Sequence, residues 1–180
     1  MPTETVTLTP DALLDLPALP DGKHYELSDG ELIVVGTAGA IHELIKSRVF
    51  VILVKYHLRT MSGQPFSEAV FTSGLSRARI PDVAWVSDER VRRIPWENRA
   101  TAIAPDVAIE IISGTESPEQ MDRKLRDYLE AGVEFWRIFP STESLTIWRE
   151  KQGFRLDGDQ LVTSEKLRGF SVPISEFFRR

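Results

Sequence analysis

"APDVAIEIIS" (residues 104–113) reads as a buried strand with an ionisable carboxylate in its middle. Successive strand side chains point to opposite faces, so Val107, Ile109 and Ile111 share one side while Asp106, Ala108 and Glu110 share the other. Burying an unpaired carboxylate is costly or forces it to take up a proton. Glu110 therefore calls for a salt-bridge partner, an exposed strand face or a metal ion. Asp106 cannot share a small ion with it. Four residues along a strand span roughly 13 Å, whereas a Mg²⁺–oxygen distance is about 2.1 Å. An Asx-turn role at the start of the strand suits Asp106 better.

A partner for Glu110 must then come from another strand, and the chain repeats itself at a suggestive place. The tetrapeptide Pro-Asp-Val-Ala of residues 105–108 also occurs at Pro81–Ala84, again ahead of an apolar run, "PDVAWV". Asp82 shares a strand face with Ala84 and Val86, and Val83 and Trp85 take the other. If the two strands are neighbours, they stand about 4.8 Å apart, and carboxylates that close repel unless a proton or a cation lies between them. Small Ala84 and Ala108 would leave room for an ion and a substrate. The plainer alternative makes Asp82 a turn residue after Pro81 and Glu110 an edge-strand glutamate paired with an arginine.

Downstream, "SPEQMDRKLRDYLEAGV" has strong helix signals: Ser117 as cap, Pro118 at the first position, Gln120 to complete a capping box, and Gly132 as terminator. Met121, Leu125, Tyr128 and Leu129 form its apolar face. Lys124 lies about 85° away, on the flank, from where its stem can reach toward the preceding strand. Two carboxylates and a lysine suit metal-assisted phosphodiester hydrolysis. A lysine snorkelling at a helix boundary is the ordinary alternative.

Upstream, "TPDALLDL" predicts a short helix capped by Thr9, and "HYELSDGELIVV" a hairpin turning at Asp29-Gly30. "AIHELIKSRVFVILVKYHLRT" predicts a long helix whose apolar face comprises Ile41, Leu44, Ile45, Val49, Ile52, Leu53 and Tyr56, with His42 off that face. "PFSEAVFTSG" and "ARIPDVAWVS" each predict one strand, and "VEFWRIF" and "LTIWRE" predict two more. The order implies an α+β or α/β fold with a mixed central sheet flanked by helices. Its parts are an N-terminal helix and hairpin (about 9–36), a core (about 37–140) and C-terminal strands (about 141–180), in one domain, as 180 residues allow.

No apolar stretch reaches a membrane-spanning length, "MPTETVTLTP" lacks the features of a signal peptide, and there is no cysteine to form disulfides or thiolate metal sites. A cytoplasmic protein without a membrane partner is the expectation. The net charge of −5 argues against a general nucleic-acid coat protein. Yet Arg77, Arg79, Arg90, Arg92, Arg93 and Arg99 crowd one segment, and Arg90, Arg92 and Arg93 are candidates for phosphate contacts.

The ordered set "YELSDGEL … H … RIPDVAWVS … APDVAIEIIS … DRKLRDYLEAGVEFWRI … LRGFSVPISEFF" resembles a large bacterial family of restriction-endonuclease-like proteins, long described as a domain of unknown function and abundant in cyanobacteria. The resemblance runs from about Tyr25 to Phe178. It implies a P-D…(D/E)-x-K nuclease core with a restriction-endonuclease-like fold and a Mg²⁺- or Mn²⁺-dependent phosphodiesterase site. Asp82 and Glu110 match the family's two acids. The wider superfamily places a lysine where this chain has Ile112, and Lys124 on the following helix matches the family's alternative. Glu26 and His42 match further motif positions near the same cleft, Glu26 as a candidate third metal ligand and His42 as a candidate to orient water or phosphate. A structural hydrogen bond is the ordinary alternative for a lone histidine. One departure is the turn "SGTES" (residues 113–117), where the family usually has a Ser-Pro-Ser type of turn. The implied activity is DNA endonuclease, with RNA as another possible substrate and a homodimer as the assembly. The rival is a non-catalytic binding or assembly module on the same fold, with exposed aromatics such as Trp96 and Trp148 serving a protein interface.

Overall fold

The computed structural model describes residues 8–36, 39–74, 76–97, 100–113 and 116–179. The chain opens with helix α1 (Pro10–Leu14), where the Thr9 hydroxyl accepts from the Ala12 amide. A hairpin of β1 (His24–Ser28) and β2 (Glu31–Val35) follows. Its two turn residues, Asp29 and Gly30, have φ of 50° and 81°, the left-handed pair that a tight hairpin turn needs. Helix α2 (Ala40–Thr60) then covers the whole apolar run and ends on Met61 in a left-handed conformation.

The two stretches expected as single strands are each broken. Residues 63–72 form β3 (Gly63–Ser67) and β4 (Phe71–Thr72), and residues 78–87 form β5 (Ala78–Arg79) and β6 (Val83–Ser87). Pro81 explains the second break, because it lacks the N–H that a continuous ladder would require. After the short helix α3 (Asp88–Val91), β7 (Val107–Ile111) is followed by α4 (Pro118–Glu130), β8 (Glu134–Phe139), β9 (Ser144–Arg149) and β10 (Gln152–Leu156). The chain closes with β11 (Leu161–Thr163), β12 (Ser171–Pro173) and α5 (Ser175–Phe178).

Six strands form the main sheet in the order β10-β9-β8-β7-β6-β3. Only β7 and β8 run parallel in it, and α4 makes the crossover that a parallel pair requires. A smaller sheet, β2-β1-β5-β4, stands beside it. The expected mixed sheet between helices is thus present. On one face Val107, Ile109 and Ile111 pack with Ile45, Val49, Leu53 and Tyr56 of α2. On the other, Ala108 packs with Tyr128 and Leu125 of α4.

Both long helices bury part of the expected face, Ile45, Val49, Leu53 and Tyr56 on α2 and Tyr128 on α4, but bury polar side chains beside it. On α2, Ile41 (46% exposed) and Leu44 (39%) face outward, whereas His42 lies with Ile45, Val49, Leu53 and Tyr56 on the buried side. His42 is thus on the buried face, tolerated there because its ring bonds Asp82. On α4 the buried residues are Lys124, Asp127 and Tyr128, while Met121, Leu125 and Leu129 are only half-buried. Lys124 is therefore no flanking, snorkelling lysine. Trp148, expected to be exposed, is half-buried against Phe135 and Gly153, but Trp96 is exposed.

Candidate active site

The register of β6 and β7 brings the two acids together. These strands pair antiparallel with Val83 opposite Ile109, so Asp82 falls opposite Glu110 one step further along. The Ile111 amide donates to Asp82 Oδ2 at 2.8 Å, and His42 Nε2 contacts the same oxygen at 3.0 Å. Glu110 is not an edge-strand residue, because β7 lies between β6 and β8. The arginine beside it on β8, Arg137, donates instead to the carbonyl of Met121.

Glu110 is satisfied from α4. Tyr128 donates its hydroxyl to Oε1 at 3.1 Å, and Lys124 Nζ donates to Oε2 at 3.2 Å. The capping box of Ser117 and Gln120 fixes the start of that helix and so places Lys124 two turns later. Lys124 also meets Glu116 at 2.8 Å and Glu26 at 3.6 Å. Behind it, Glu26 accepts from Arg79 Nη1 (2.8 Å) and from the Ile80 amide (3.1 Å), and Arg79 continues to Asp127, which accepts from the Ser28 hydroxyl. Four elements, β1, β5, β7 and α4, are tied together through buried charges.

Electrostatics separate these carboxylates. Burial pushes Glu110 up to about 8; Lys124 works against the rise, and Asp82, Glu26 and Glu116 add to it. Burial disfavours the charge on Glu26 too, but Lys124 and Arg79 outweigh it and hold its pKa below the ordinary value. Lys124 is raised, because Glu110, Glu26 and Glu116 together overcome the cost of its burial. For His42, burial opposes the charge and the carboxylates of Asp82 and Glu43 prevail, so its pKa is raised.

Asp82, Glu110, Glu116, Lys124 and His42, but not Glu26, line a cleft of about 220 Å³. Its space does not lie over Ala84 and Ala108, as their size had suggested. Ala84 packs with Phe71 and Ala108 under Tyr128, and both are fully buried. The cleft opens beyond them, at the strand ends. Asp106 lies outside the cleft, where it accepts from the Ser87 amide.

A family model described as "Putative restriction endonuclease" matches residues 10–175. The chain belongs to this family, Uma2. A crystal structure of a "putative nuclease" from Anabaena variabilis shares the fold, with a TM-score of 0.81 and 24% identity over 95% of this chain and 97% of that one. No curated protein matches. No helix among the described residues is long and apolar enough to cross a membrane.

The arginines of this Uma2 chain are dispersed. Arg90 and Arg93 lie on or just after α3, at the far end of β6 from Asp82, where Arg90 pairs with Asp106 (3.2 Å) and Arg93 with Glu89 (2.5 Å). Arg92 is exposed nearby. The structure does not bring these three to the cleft. Arg77 ties Asp29 to Glu130 and Arg79 is buried, while Arg99 lies outside the described residues. Glu116, Tyr128 and the Arg79–Asp127 pair escaped sequence reasoning. Glu116 belongs to the "SGTES" turn, of which Gly114 and Thr115 are outside the described residues, and no periodicity marks it.

Proposed function

We propose that the protein is a divalent-cation-dependent endonuclease acting on DNA phosphodiester bonds. The observation that carries this reading is Asp82 and Glu110 facing each other across adjacent strands, with the Lys124 ammonium beside them in one cleft. The donor set fits a hard cation, being carboxylate oxygen. Lys46 offsets Glu43 and Glu68 at 2.7 and 2.8 Å, and Arg79 is shared between Glu26 and Asp127. Asp82, Glu110 and Glu116 are then left with Lys124 and His42. Burial is the first cause of the upward push on Glu110, and the carboxylates of Asp82, Glu26 and Glu116 add to it against Lys124.

Asp82 and Glu110 would hold the ion, Mg²⁺ or Mn²⁺. Glu26, expected as a third ligand, would instead position Lys124, because its buried oxygens already accept from Arg79 and the Ile80 amide. When bound, the ion would supply Lewis acidity at the phosphate and a more acidic water. The chain's own residues do the rest. The ammonium of Lys124 offsets charge growing on the phosphoryl oxygens. The Ile111 amide and His42 fix the orientation of Asp82, and Tyr128 fixes that of Glu110. A homodimer would present one cleft to each DNA strand.

The test is nicking of supercoiled plasmid by wild type and Asp82→Asn, with Mg²⁺, Mn²⁺ or EDTA, beside a labelled RNA. Metal-dependent nicking that Asp82→Asn lacks is the expected result. Cleavage in EDTA, or undiminished cleavage by the variant, would rule the reading out, and cleavage of the RNA alone would move the substrate to RNA.

A second reading, a non-catalytic module on the nuclease fold, has its own observation. Lys124 already bonds the carboxylates, and among the described residues no three His, Cys, Asp or Glu side chains are arranged to hold a metal. It predicts a folded protein that binds no divalent cation by calorimetry.

A further inference from the structure

Lys124 stands where three carboxylates from different parts of the chain meet: Glu26 of β1, Glu110 of β7, and Glu116 just before α4. An ammonium has three N–H donors and no acceptor, so three carboxylates match its capacity. Under the proposed reading Glu110 must also bind a cation, and an ammonium at 3.2 Å from Oε2 competes for that oxygen and repels the ion. Lys124 is buried, so it cannot simply give up a partner without gaining another.

Glu26 is poorly placed to take it. Its oxygens already accept from Arg79 and the Ile80 amide, and its side chain is wholly buried. Glu116 is well placed. It is already the nearest of the three to Nζ, at 2.8 Å, and its side chain is the most solvent-facing, 12% exposed against 7% for Glu110. It directly precedes Ser117, the cap of the helix that carries Lys124, so anchor and ammonium are joined through that cap. A cavity of about 50 Å³ adjoins the cleft, lined by Glu26, Glu116, Gln120 and Lys124, and gives the lysine room to shift.

We propose that Glu116 is a positioning residue that holds Lys124 when Glu110 is engaged by a divalent cation. Lys124 then exchanges one carboxylate for fuller contact with another, and no buried charge is left unpaired. This inference rests on the metal-dependent reading above.

Calorimetric titration of the full chain with Mn²⁺, without nucleic acid, tests it. Glu116→Gln should weaken Mn²⁺ binding about tenfold, the effect typical of residues that orient a metal site, and Glu116→Asp should restore most of it. In a Lys124→Met background there is no ammonium to relocate, so adding Glu116→Gln should change Kd by less than about twofold. Lys124→Gln serves the same comparison if the methionine variant does not fold, as thermal unfolding will show. Wild-type affinity in Glu116→Gln would overturn the proposal. So would an equal loss with and without Lys124, which would make Glu116 a direct ligand. In both cases the wild type still binds metal, so the metal-dependent reading survives. A wild type that binds no Mn²⁺ overturns that reading, and the role of Glu116 with it.

Discussion

On the α2 face of the main sheet, Val107, Ile109 and Ile111 join Ile45, Val49, Leu53, Trp136 and Ile138 in one apolar core. On the α4 face the same strand presents Ala108 and Glu110 to a helix that buries Lys124, Asp127 and Tyr128. The first face stabilises by removing apolar area from water. The second removes charges from water, and a buried ion network is weak evidence for stability because desolvation offsets its Coulombic gain. On the proposed reading, one side of β7 carries stability and the other the chemistry.

The largest effect that can break this contrast is on activity. Glu110→Gln should lower metal-dependent nicking by about 10³-fold or more. Its unfolding free energy, measured in urea at neutral pH, should stay within about 1 kcal/mol of wild type, because glutamine copies the protonated carboxyl that burial favours. One side chain along, Ile109→Ala should do the reverse. It should lose about 3 kcal/mol of stability, within the usual range for emptying a core site, and keep its nicking rate per folded molecule. A stable, active Glu110→Gln or an inactive, stable Ile109→Ala would erase the distinction between the faces.

A smaller effect sharpens it through pH. The folded-state pKa of Glu110, about 8, lies above its ordinary 4.5. The folded protein then binds more protons than the unfolded chain between those values, so stability falls as pH rises through this window. His42 tilts the same way above its ordinary 6.5, since Asp82 and Glu43 outweigh its burial. Glu26 works in the opposite sense, but only at pH below its ordinary 4.5. The metal-free Tm should therefore drop from about pH 5.5 to about pH 8.5, and Glu110→Gln should flatten much of that slope. An equal slope in the variant would place the proton elsewhere.

The smallest expected effect concerns the far end of β6. Arg90→Ala removes a half-exposed contact to Asp106, so stability should change by about 1 kcal/mol or less. Plasmid nicking and its salt dependence should match wild type. A clear drop in the salt dependence would return the α3 arginines to the nucleic-acid path.

Local chemistry made much of the fold readable. The bounds of α2, the Asp29-Gly30 turn, the Ser117–Gln120 capping box and the alternation along β7 each depend on residues a few positions apart. Asp82 and Glu110 could be paired in thought because a repeated tetrapeptide put each beside a strand. The faces of α2 and α4 were read only in part, because apolar periodicity assumes that a buried face is an apolar one. Here His42 and Lys124 are buried by partners 40 and 14 residues away. The two split strands were missed because a strand's ends depend on which neighbours offer it a ladder.

The sequence by itself determined the main helices, most of the strands, the sheet-between-helices class and the acids that face away from the apolar core. Those follow from backbone preferences and side-chain alternation, which act over short distances. Tertiary structure decided that Glu116 and Tyr128 serve Lys124 and Glu110, that Arg79 is a buried link between Glu26 and Asp127, and that the α3 arginines stand apart from the cleft. A charge can be buried only where opposite charges converge on it, and here that convergence is made by chain segments up to about a hundred residues apart, such as Glu26 and Lys124.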